Sequence, residues 1–191
     1  MPDLSRTGSI PLVEISHPAI TVALAYATPD NFTGRVLYSH SQALLRPEAA
    51  RALYRAADTF ALQGYGIVLL DAYRPASVQR MLWAARPDPD YVADPAIGSD
   101  HSRGTAVDLT LANAAGTIDM GTDFDTASVQ SHHDRTDIPA PAIINRLILR
   151  GVMQASGFIH NPLEWWHYAL PGKAGFPILD DTGGAWKQTP A

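Results

Sequence analysis

The sequence predicts an α+β fold in which helices pack on a central, mainly antiparallel sheet. Three segments carry apolar residues at helical spacing, and several shorter ones have the β-branched or alternating pattern of strands. These helices and strands do not alternate regularly along the chain. A doubly wound parallel sheet is therefore disfavoured, and a mixed α+β domain fits the order of elements better.

Three segments are predicted to form the helices. Residues 46–62 are rich in alanine, and Pro47 suits the first helical turn, where its missing N–H costs no hydrogen bond. Residues 76–85 directly follow a proline and form the second predicted helix. Residues 141–156 place apolar side chains at helical spacing, and Gly157 is of the type that commonly ends a helix.

The sheet is predicted from short apolar or alternating segments. Residues 66–71 (GIVLLD) are an apolar run typical of a buried strand. Residues 105–111 alternate, so that Asp108 and Thr110 share the polar face of a strand. A hairpin turn is expected next, at residues 112–117. Further strands are expected at 20–25, 158–160 and 164–170, and irregular chain in the rest of 1–43, at 86–98 and from Pro171 onward.

Size and composition limit the classes of protein. With 191 residues, 46% of them apolar, we expect one domain over 1–191, with a core at about 20–170 and an irregular Gly- and Pro-rich tail. The net charge of −5 gives no electrostatic footprint for nucleic acid. The chain has no cysteine, which excludes disulfides, cysteine–zinc sites and thiol nucleophiles. Any bound metal must therefore use His, Asp or Glu.

Signals for membranes or export are not visible in the sequence. No stretch approaches the length of about 18 apolar residues that a transmembrane helix needs. The N-terminus also lacks the apolar centre of a signal peptide. We therefore expect a cytoplasmic protein without a membrane partner, whereas a signal removed earlier would make it periplasmic. The sequence leaves the oligomeric state open.

Two motifs contain the side chains of a metal-dependent hydrolase. The first is SDHSRGTAVDLTL at residues 99–111, and the second is EWWH at residues 164–167. Two histidines and one carboxylate leave one position open on a tetrahedral zinc, and a further carboxylate can act as the base. We assign His167 as the third ligand and Glu164 as the base. Taken singly, either motif could also form a capped turn or a surface salt bridge.

Neither motif brings its residues together by simple periodicity. A turn at Gly104 is needed for His101 and Asp108 to converge, and a turn or bulge is needed for Glu164 and His167. The two tryptophans between Glu164 and His167 are expected to pack around the site and limit water. Arg74 follows the strand at 66–71 and is suited to hold an oxyanion, although such an arginine is more often a structural ion pair.

On these residues the chain resembles the zinc D-alanyl-D-alanine dipeptidases of the VanX type. That family lies within the wider group of D,D-peptidases and hedgehog-like folds. The resemblance covers about residues 20–170, and its motifs keep their order and spacing. They are AYATPDNFTG at 25–34, DAYRP at 71–75, SDHSRGTAVDLTL at 99–111, DMGTDFD at 119–125, SHH at 131–133 and EWWH at 164–167.

The resemblance implies a role for each matching residue. It implies one zinc per chain, with Glu164 as the catalytic base and Arg74 stabilising the transition state. The substrate's ammonium group would be held by Asp125 and two further residues, for which a carboxylate and hydroxyl oxygens are suitable acceptors. The implied zinc ligands are His101, Asp108 and His167, and the implied ammonium-binding residues are Tyr26, Ser99 and Asp125, with Asp119 and Asp123 as alternatives to Asp125. Asp100 departs from the family pattern, and we expect it to contact a ligand histidine.

The resemblance implies hydrolysis of the free dipeptide D-Ala-D-Ala by a zinc peptidase. In the family this activity depletes a cell-wall precursor in vancomycin resistance or salvages D-alanine from cell-wall turnover. One alternative is a D,D-carboxypeptidase or endopeptidase acting on peptidoglycan stem peptides, which would not need the carboxylate of Asp125. A less favoured alternative is a non-catalytic zinc-binding module of the same fold, against which Glu164 and Arg74 argue.

Overall fold

The computed structural model describes residues 12–39 and 41–179. Within these residues the main elements are three α-helices, several short 3-10 turns and eight strands. The helices are α1 (Pro47–Ala61), α2 (Ala76–Ala85) and α3 (Ala140–Ala155). The strands are β1 (Val13–Glu14), β2 (Ile20–Val22), β3 (Leu44–Leu45), β4 (Gly66–Asp71), β5 (Ala106–Asn113), β6 (Gly116–Thr117), β7 (Ile159–Asn161) and β8 (Glu164–Ala169).

The central sheet has the strand order β2-β4-β5-β8-β7, and the short β6 pairs with β5. Only the β2–β4 pair of this sheet is parallel, so the predicted mainly antiparallel sheet is confirmed. β5 lies in the middle and pairs with β4 on one side and β8 on the other. The two long-separated sequence motifs therefore lie side by side, because β5 belongs to the first and β8 to the second.

Helices α1 and α3 contact each other and also contact the sheet, α1 at β4 and α3 at β7 and β8. The buried side of α1 is mostly alanine, with Leu53 and Phe60 as its large side chains. Small side chains let two packed elements approach closely, while the two large ones fill the remaining space. The strands supply the opposite side of this core with Ile67, Leu69, Val107, Leu109 and Leu111.

All three helices begin and end within about one residue of the predicted bounds. The predicted strands are also present, although the first is only Ile20–Val22. The two-stranded sheet of β1 and β3 was not predicted, and β1 lies in the stretch expected to be irregular. Two-residue strands carry no periodicity, and this pair is formed with a partner about thirty residues away along the chain. No helix in residues 12–39 and 41–179 is long and apolar enough to cross a membrane.

Candidate active site

Acidic and histidine side chains meet where three neighbouring strands lie side by side. Asp71 at the end of β4 is opposite Asp108 in β5, and Asp108 is opposite His167 in β8. The pairing of β4 with β5 is irregular between Leu69 and Asp71. Asp71 and Asp108 are almost fully buried. The polar face predicted for β5 is thus covered by protein, and its carboxylate requires charged or hydrogen-bonding partners.

His101 reaches this row from a short 3-10 turn, His101–Arg103, that precedes β5. The turn ends at Gly104, whose φ of 71° lies in the left-handed region, as expected for a glycine that reverses the chain. The His101 carbonyl accepts a hydrogen bond from the Arg74 backbone N–H at 3.2 Å, which ties the turn to the end of β4. His101 is therefore brought next to Asp108 by the turn that the sequence predicts.

Three ligand atoms converge in this place. The distances are 3.2 Å from His101 Nε2 to Asp108 Oδ1, 3.0 Å from His167 Nδ1 to Asp108 Oδ1, and 3.1 Å between the two histidine nitrogens. Ligands about 2.0–2.1 Å from a tetrahedral zinc would lie about 3.3–3.4 Å from one another. The three atoms thus have the spacing of three corners of such a site within a few tenths of an ångström.

The position of the ring hydrogen of His101 makes this cluster suited to a cation. His101 Nδ1 donates a hydrogen bond of 2.7 Å to the Ala72 carbonyl, because a carbonyl can only accept. A neutral His101 therefore presents the lone pair of Nε2 to the carboxylate oxygen of Asp108. Two electron-rich atoms that face each other in a buried position need a proton or a metal ion between them. His101, Asp108 and His167 are the residues that would hold that metal.

Glu164 lies at the start of β8, close to this cluster. Its Oε2 accepts a hydrogen bond of 2.7 Å from Asn161 Nδ2 and lies 4.0 Å from His167 Nδ1. The pairing of β7 and β8 is irregular here. His160 of β7 is opposite Tyr168 of β8, but the next residue, Asn161, is opposite Glu164, four residues away. This is the bulge that the sequence requires for Glu164 and His167 to face one site. Burial raises the pKa of Glu164 to about 8, and His167 opposes that shift.

Arg74 is held in a buried ion pair. Its Nε and Nη2 lie 2.9 and 2.7 Å from Asp71 Oδ2, and its Nη1 donates to Gln79 Oε1 at 2.9 Å. Its Nη2 also lies 3.5 Å from Asp108 Oδ2. Burial opposes the charge of Arg74, but Asp71 and the other acidic groups around it together outweigh burial and hold the pKa of Arg74 well above its usual range. The guanidinium is thus charged and fixed in orientation beside the cluster of metal-ligand atoms.

Asp125 and Tyr26 form a second polar pair in the same site. The Tyr26 hydroxyl lies 3.0 and 2.8 Å from the two carboxylate oxygens of Asp125. Burial keeps the pKa of Tyr26 well above its usual value, so this hydroxyl is a donor, and burial raises the pKa of Asp125 to about 7. Asp125 has a φ of 60°, which is uncommon for a residue other than glycine. Such strain is typical of functional positions.

Two alternatives to Asp125 lie elsewhere. Asp119 Oδ1 accepts a hydrogen bond of 2.7 Å from the Gly121 backbone N–H. Asp123 faces a different depression, which it shares with Phe124 and Leu70. Of the three acidic residues, Asp125 is the one that contacts Tyr26 and lines the cavity with the metal-ligand residues.

Ser99 and Asp100, both singled out from the sequence, have different surroundings. Ser99 is buried, and its Oγ accepts a hydrogen bond of 3.2 Å from the His101 backbone N–H. It therefore supports the turn that carries His101. The expected contact of Asp100 with a ligand histidine is wrong for His101, whose Nδ1 is taken by the Ala72 carbonyl. Asp100 Oδ1 instead lies 3.6 Å from Arg103 Nε.

The two tryptophans of the second motif have different surroundings, although their rings pack edge to face with centroids 5.3 Å apart. Trp166 lines the cavity, as expected. Trp165 does not, because its Nε1 donates a hydrogen bond of 2.8 Å to Thr122 Oγ1 and its ring lines a different depression. Trp166 therefore lines the site directly, whereas Trp165 packs against Trp166 and does not line the cavity, so the expectation that both would surround the site holds only for Trp166.

One cavity of about 170 Å³ contains the site. This is well below the volume of about 300–1,000 Å³ of sites that bind drug-sized ligands. All eight residues singled out from the sequence line it: Tyr26, Arg74, Ser99, His101, Asp108, Asp125, Glu164 and His167. Sequence reasoning missed Asn161, which orients Glu164, and Asp71, which orients Arg74. Asp71 could have been found, because it belongs to the same DAYRP segment as Arg74.

Over most of its length the chain is similar to one family of known proteins. The peptidase M15 model described as D-ala-D-ala dipeptidase matches residues 6–184. A D-alanyl-D-alanine dipeptidase of Escherichia coli is 42% identical over 179 residues, which are 93% of this chain and 93% of that protein. D-alanyl-D-alanine dipeptidases of Enterococcus faecium and Enterococcus faecalis are 37% and 35% identical, each over 76% of this chain and 83% of the relative.

Proposed function

Because the chain belongs to the peptidase M15 family of D-Ala-D-Ala dipeptidases, we propose that it hydrolyses free D-Ala-D-Ala to two D-alanines and uses one zinc ion. The observation that carries this proposal is the convergence of His101, Asp108 and His167 beside Glu164 in one small cavity. Three metal-ligand side chains, with a further carboxylate beside them that is not a ligand, are the arrangement used in metal-dependent hydrolysis. When bound, zinc supplies Lewis-acid polarisation of a carbonyl and lowers the pKa of water to about 7.

Glu164 is proposed as the general base and then the general acid. Its carboxylate takes a proton from the attacking water and later delivers it to the leaving amine. The Asn161 amide holds one oxygen of the carboxylate at 2.7 Å and leaves the other available. A base of this kind is most effective when its pKa lies near the working pH. Burial raises the pKa of Glu164, and a zinc ion bound beside the carboxylate would lower it again towards that range.

Arg74 is proposed to stabilise the oxyanion of the tetrahedral transition state. A guanidinium has five N–H donors. Asp71 occupies two of them and Gln79 one. One further N–H remains on Nη1 and one on Nη2, which also lies 3.5 Å from Asp108 Oδ2. A charged donor that is already fixed in place costs little reorganisation when charge develops on the substrate. The ion pair with Asp71 is thus the means by which Arg74 is positioned.

Asp125 and Tyr26 are proposed to bind the free ammonium group of the substrate, with Ser99 nearby. The Tyr26 hydroxyl fixes the carboxylate of Asp125. The remaining lone pairs of that carboxylate can accept charged N–H donors, which form strong hydrogen bonds. The cavity of about 170 Å³ suits a dipeptide better than a peptidoglycan stem peptide. Charge and size thus both favour a free dipeptide as the substrate.

The test is D-alanine release by the zinc-loaded protein from two substrates, D-Ala-D-Ala and N-acetyl-D-Ala-D-Ala. The free dipeptide is expected to be cleaved much faster than the acetylated one, with Glu164→Gln as the inactive control. Equal or preferred cleavage of the acetylated substrate would support a D,D-carboxypeptidase instead. Release from neither substrate by a zinc-bound protein would support a non-catalytic module. The cytoplasmic location expected from the sequence is part of this proposal, and cell fractionation tests it.

A further inference from the structure

The loop that carries one metal ligand lies outside the sheet. Residues 98–104 connect an irregular segment to β5 and contain Ser99 and His101. Within the loop, the Gly104 N–H bonds to the His101 carbonyl at 2.9 Å, and just beyond it the Thr105 N–H bonds to the Asp100 carbonyl at 3.1 Å. Such a loop is not held by the regular hydrogen bonds of a strand. Contacts from elsewhere in the chain must therefore contribute to its position.

Residues 176–179, here called the C-terminal strap, pack along this loop. The Leu179 N–H donates a hydrogen bond of 2.9 Å to the Ser102 carbonyl. Ile178 lies so close to Gly98 that an added Cβ there would be 2.1 Å from Ile178 Cδ1. Gly98, with a φ of 89°, is thus required both for its backbone conformation and for this close approach.

Two arginines connect the C-terminal strap, the loop and the start of α1. Arg103 donates from Nη1 to the Phe176 carbonyl at 2.8 Å and from Nη2 to the Ile97 carbonyl at 3.2 Å. Arg46 donates from Nε to the Arg103 carbonyl at 2.6 Å and from Nη2 to the Pro177 carbonyl at 2.9 Å. The Arg46 backbone N–H also bonds to the Gly104 carbonyl at 2.9 Å.

Both arginines donate hydrogen bonds to backbone carbonyl oxygens and lie outside the lining of the active-site cavity. Neither Arg46 nor Arg103 is among the described residues that line the active-site cavity, and the same is true of the C-terminal strap. Arg46 is almost fully buried, and its guanidinium lies 5.4 Å from the centre of the Phe176 ring. A buried arginine that uses its donors on two separate segments fixes them relative to each other.

We infer that the C-terminal strap, through Arg46 and Arg103, is a positioning element for the metal ligand His101. The inference rests on the metal site of the proposed function. The strap and the arginines hold the loop at Gly98, Ser102 and Arg103, while the Ala72 carbonyl holds the imidazole of His101. Loss of a strap contact lets the loop move and shifts His101 Nε2 relative to the other two ligand atoms. Because α1, β4 and β5 form the core independently of the strap, the metal site is affected more than the fold.

The test uses two variants of the full-length protein that each remove one strap contact. Arg103→Met removes the hydrogen bond to the Phe176 carbonyl of the strap, together with the bond to the Ile97 carbonyl, and Ile178→Ala removes the contact with Gly98 alone. The matched controls are Arg135→Met, an exposed arginine paired with Asp137, and Ile144→Ala, an exposed isoleucine of α3. Each protein is measured for zinc affinity by chelator competition, for the absorption spectrum of its Co²⁺ form, and for the thermal midpoint of its metal-free form.

The strap variants are expected to bind zinc about 10- to 100-fold more weakly than the wild type, the usual effect of removing outer support from a metal site. Their Co²⁺ spectra should change, while their metal-free thermal midpoints stay close to those of the controls. Unchanged zinc affinity and Co²⁺ spectra in both variants would overturn the inference and leave the proposed function intact. If Arg103→Met does not fold, the Ile178→Ala result alone decides. A wild-type protein that binds no zinc would overturn both proposals.

Discussion

Asn161 Nδ2 donates a 2.7 Å hydrogen bond to Glu164 Oε2, joining the last residue of β7 to the first residue of β8. The bond spans the tight turn that precedes the irregular pairing of these strands. It therefore orients the proposed base in a place where the strand geometry alone does not. The prediction for Asn161→Ala below follows from this contact.

Replacing Glu164 by Gln is expected to lower kcat about 10²- to 10⁴-fold, because the amide cannot accept the proton of the attacking water. Zinc should remain bound, since the three ligand atoms come from His101, Asp108 and His167. The measurements are D-alanine release and the zinc content of the purified variant. Loss of zinc together with activity would make Glu164 a ligand and contradict its role as the base.

Replacing Asn161 by Ala is expected to move the acidic limb of the pH profile of kcat/KM to higher pH. The amide of Asn161 donates to the carboxylate and so lowers the pKa of Glu164, in opposition to the burial that raises it to about 8. Without that donor the carboxylate takes up its proton at a higher pH, and the base form is lost sooner as pH falls. An acidic limb that stays in place in the variant would contradict the inference that the Asn161 amide lowers the pKa of Glu164.

Replacing Arg74 by Lys is expected to lower kcat about 10²- to 10³-fold, as does the loss of an oxyanion donor in other enzymes. Lysine keeps the charge but cannot hold Asp71 and Gln79 together, because its ammonium is a single point rather than a planar fork. Arg86→Lys is the matched control, since Arg86 lines the same cavity but stacks on Phe32. An Arg74→Lys variant that loses no more activity than Arg86→Lys would show that a cation in the cavity suffices and would contradict the role of the fixed guanidinium.

Replacing Asp125 by Asn is expected to raise KM for D-Ala-D-Ala about 10- to 150-fold, which corresponds to about 1.5–3 kcal/mol for a hydrogen bond to a charged group. The slow cleavage of N-acetyl-D-Ala-D-Ala should change much less, because that substrate has no ammonium. Asp123→Asn serves as the control, since Asp123 faces a different depression. Equal losses on both substrates would refute the ammonium-binding role.

Removing zinc is expected to lower the thermal midpoint of unfolding. At 100 times its dissociation constant, zinc adds about 2.7 kcal/mol to the stability of the folded state, which is about 5–10 °C for a chain of this length. The zinc-dependent shift should vanish in His167→Ala and persist in His160→Ala, a histidine whose Nδ1 contacts Gln154. Calorimetry with and without a chelator measures both shifts. A shift that survives in His167→Ala would place the metal elsewhere.

Local patterns predicted much of the fold. The helix at Pro47–Ala61 and the strand at Gly66–Asp71 follow from proline placement and apolar spacing within one segment. The turn at Gly104 and the bulge before His167 were predicted because the ligands could not otherwise converge. The pairing of β1 with β3 was missed, since its residues carry no periodicity of their own.

Side-chain partners were harder to predict than elements. Asp100 is adjacent to a ligand in sequence, yet the partner of His101 Nδ1 is the carbonyl of Ala72, far away along the chain. Trp165 and Trp166 are neighbours with rings in contact, yet only Trp166 lines the cavity, because Trp165 Nε1 donates to Thr122 in a different depression. Such contacts depend on which strands are paired and in which register.

The sequence by itself determined the inventory of the site and the types of the main elements, because motif spacing and apolar periodicity are properties of single segments. The tertiary structure decided how these residues meet: β5 lies between β4 and β8, which places Asp71, Asp108 and His167 in one row. It also decided that Asp71 orients Arg74, that Asn161 orients Glu164, and that the C-terminal strap lies on the loop of His101. The physical reason is that hydrogen bonds and ion pairs between distant segments exist only after the strands have paired and the core has closed around them.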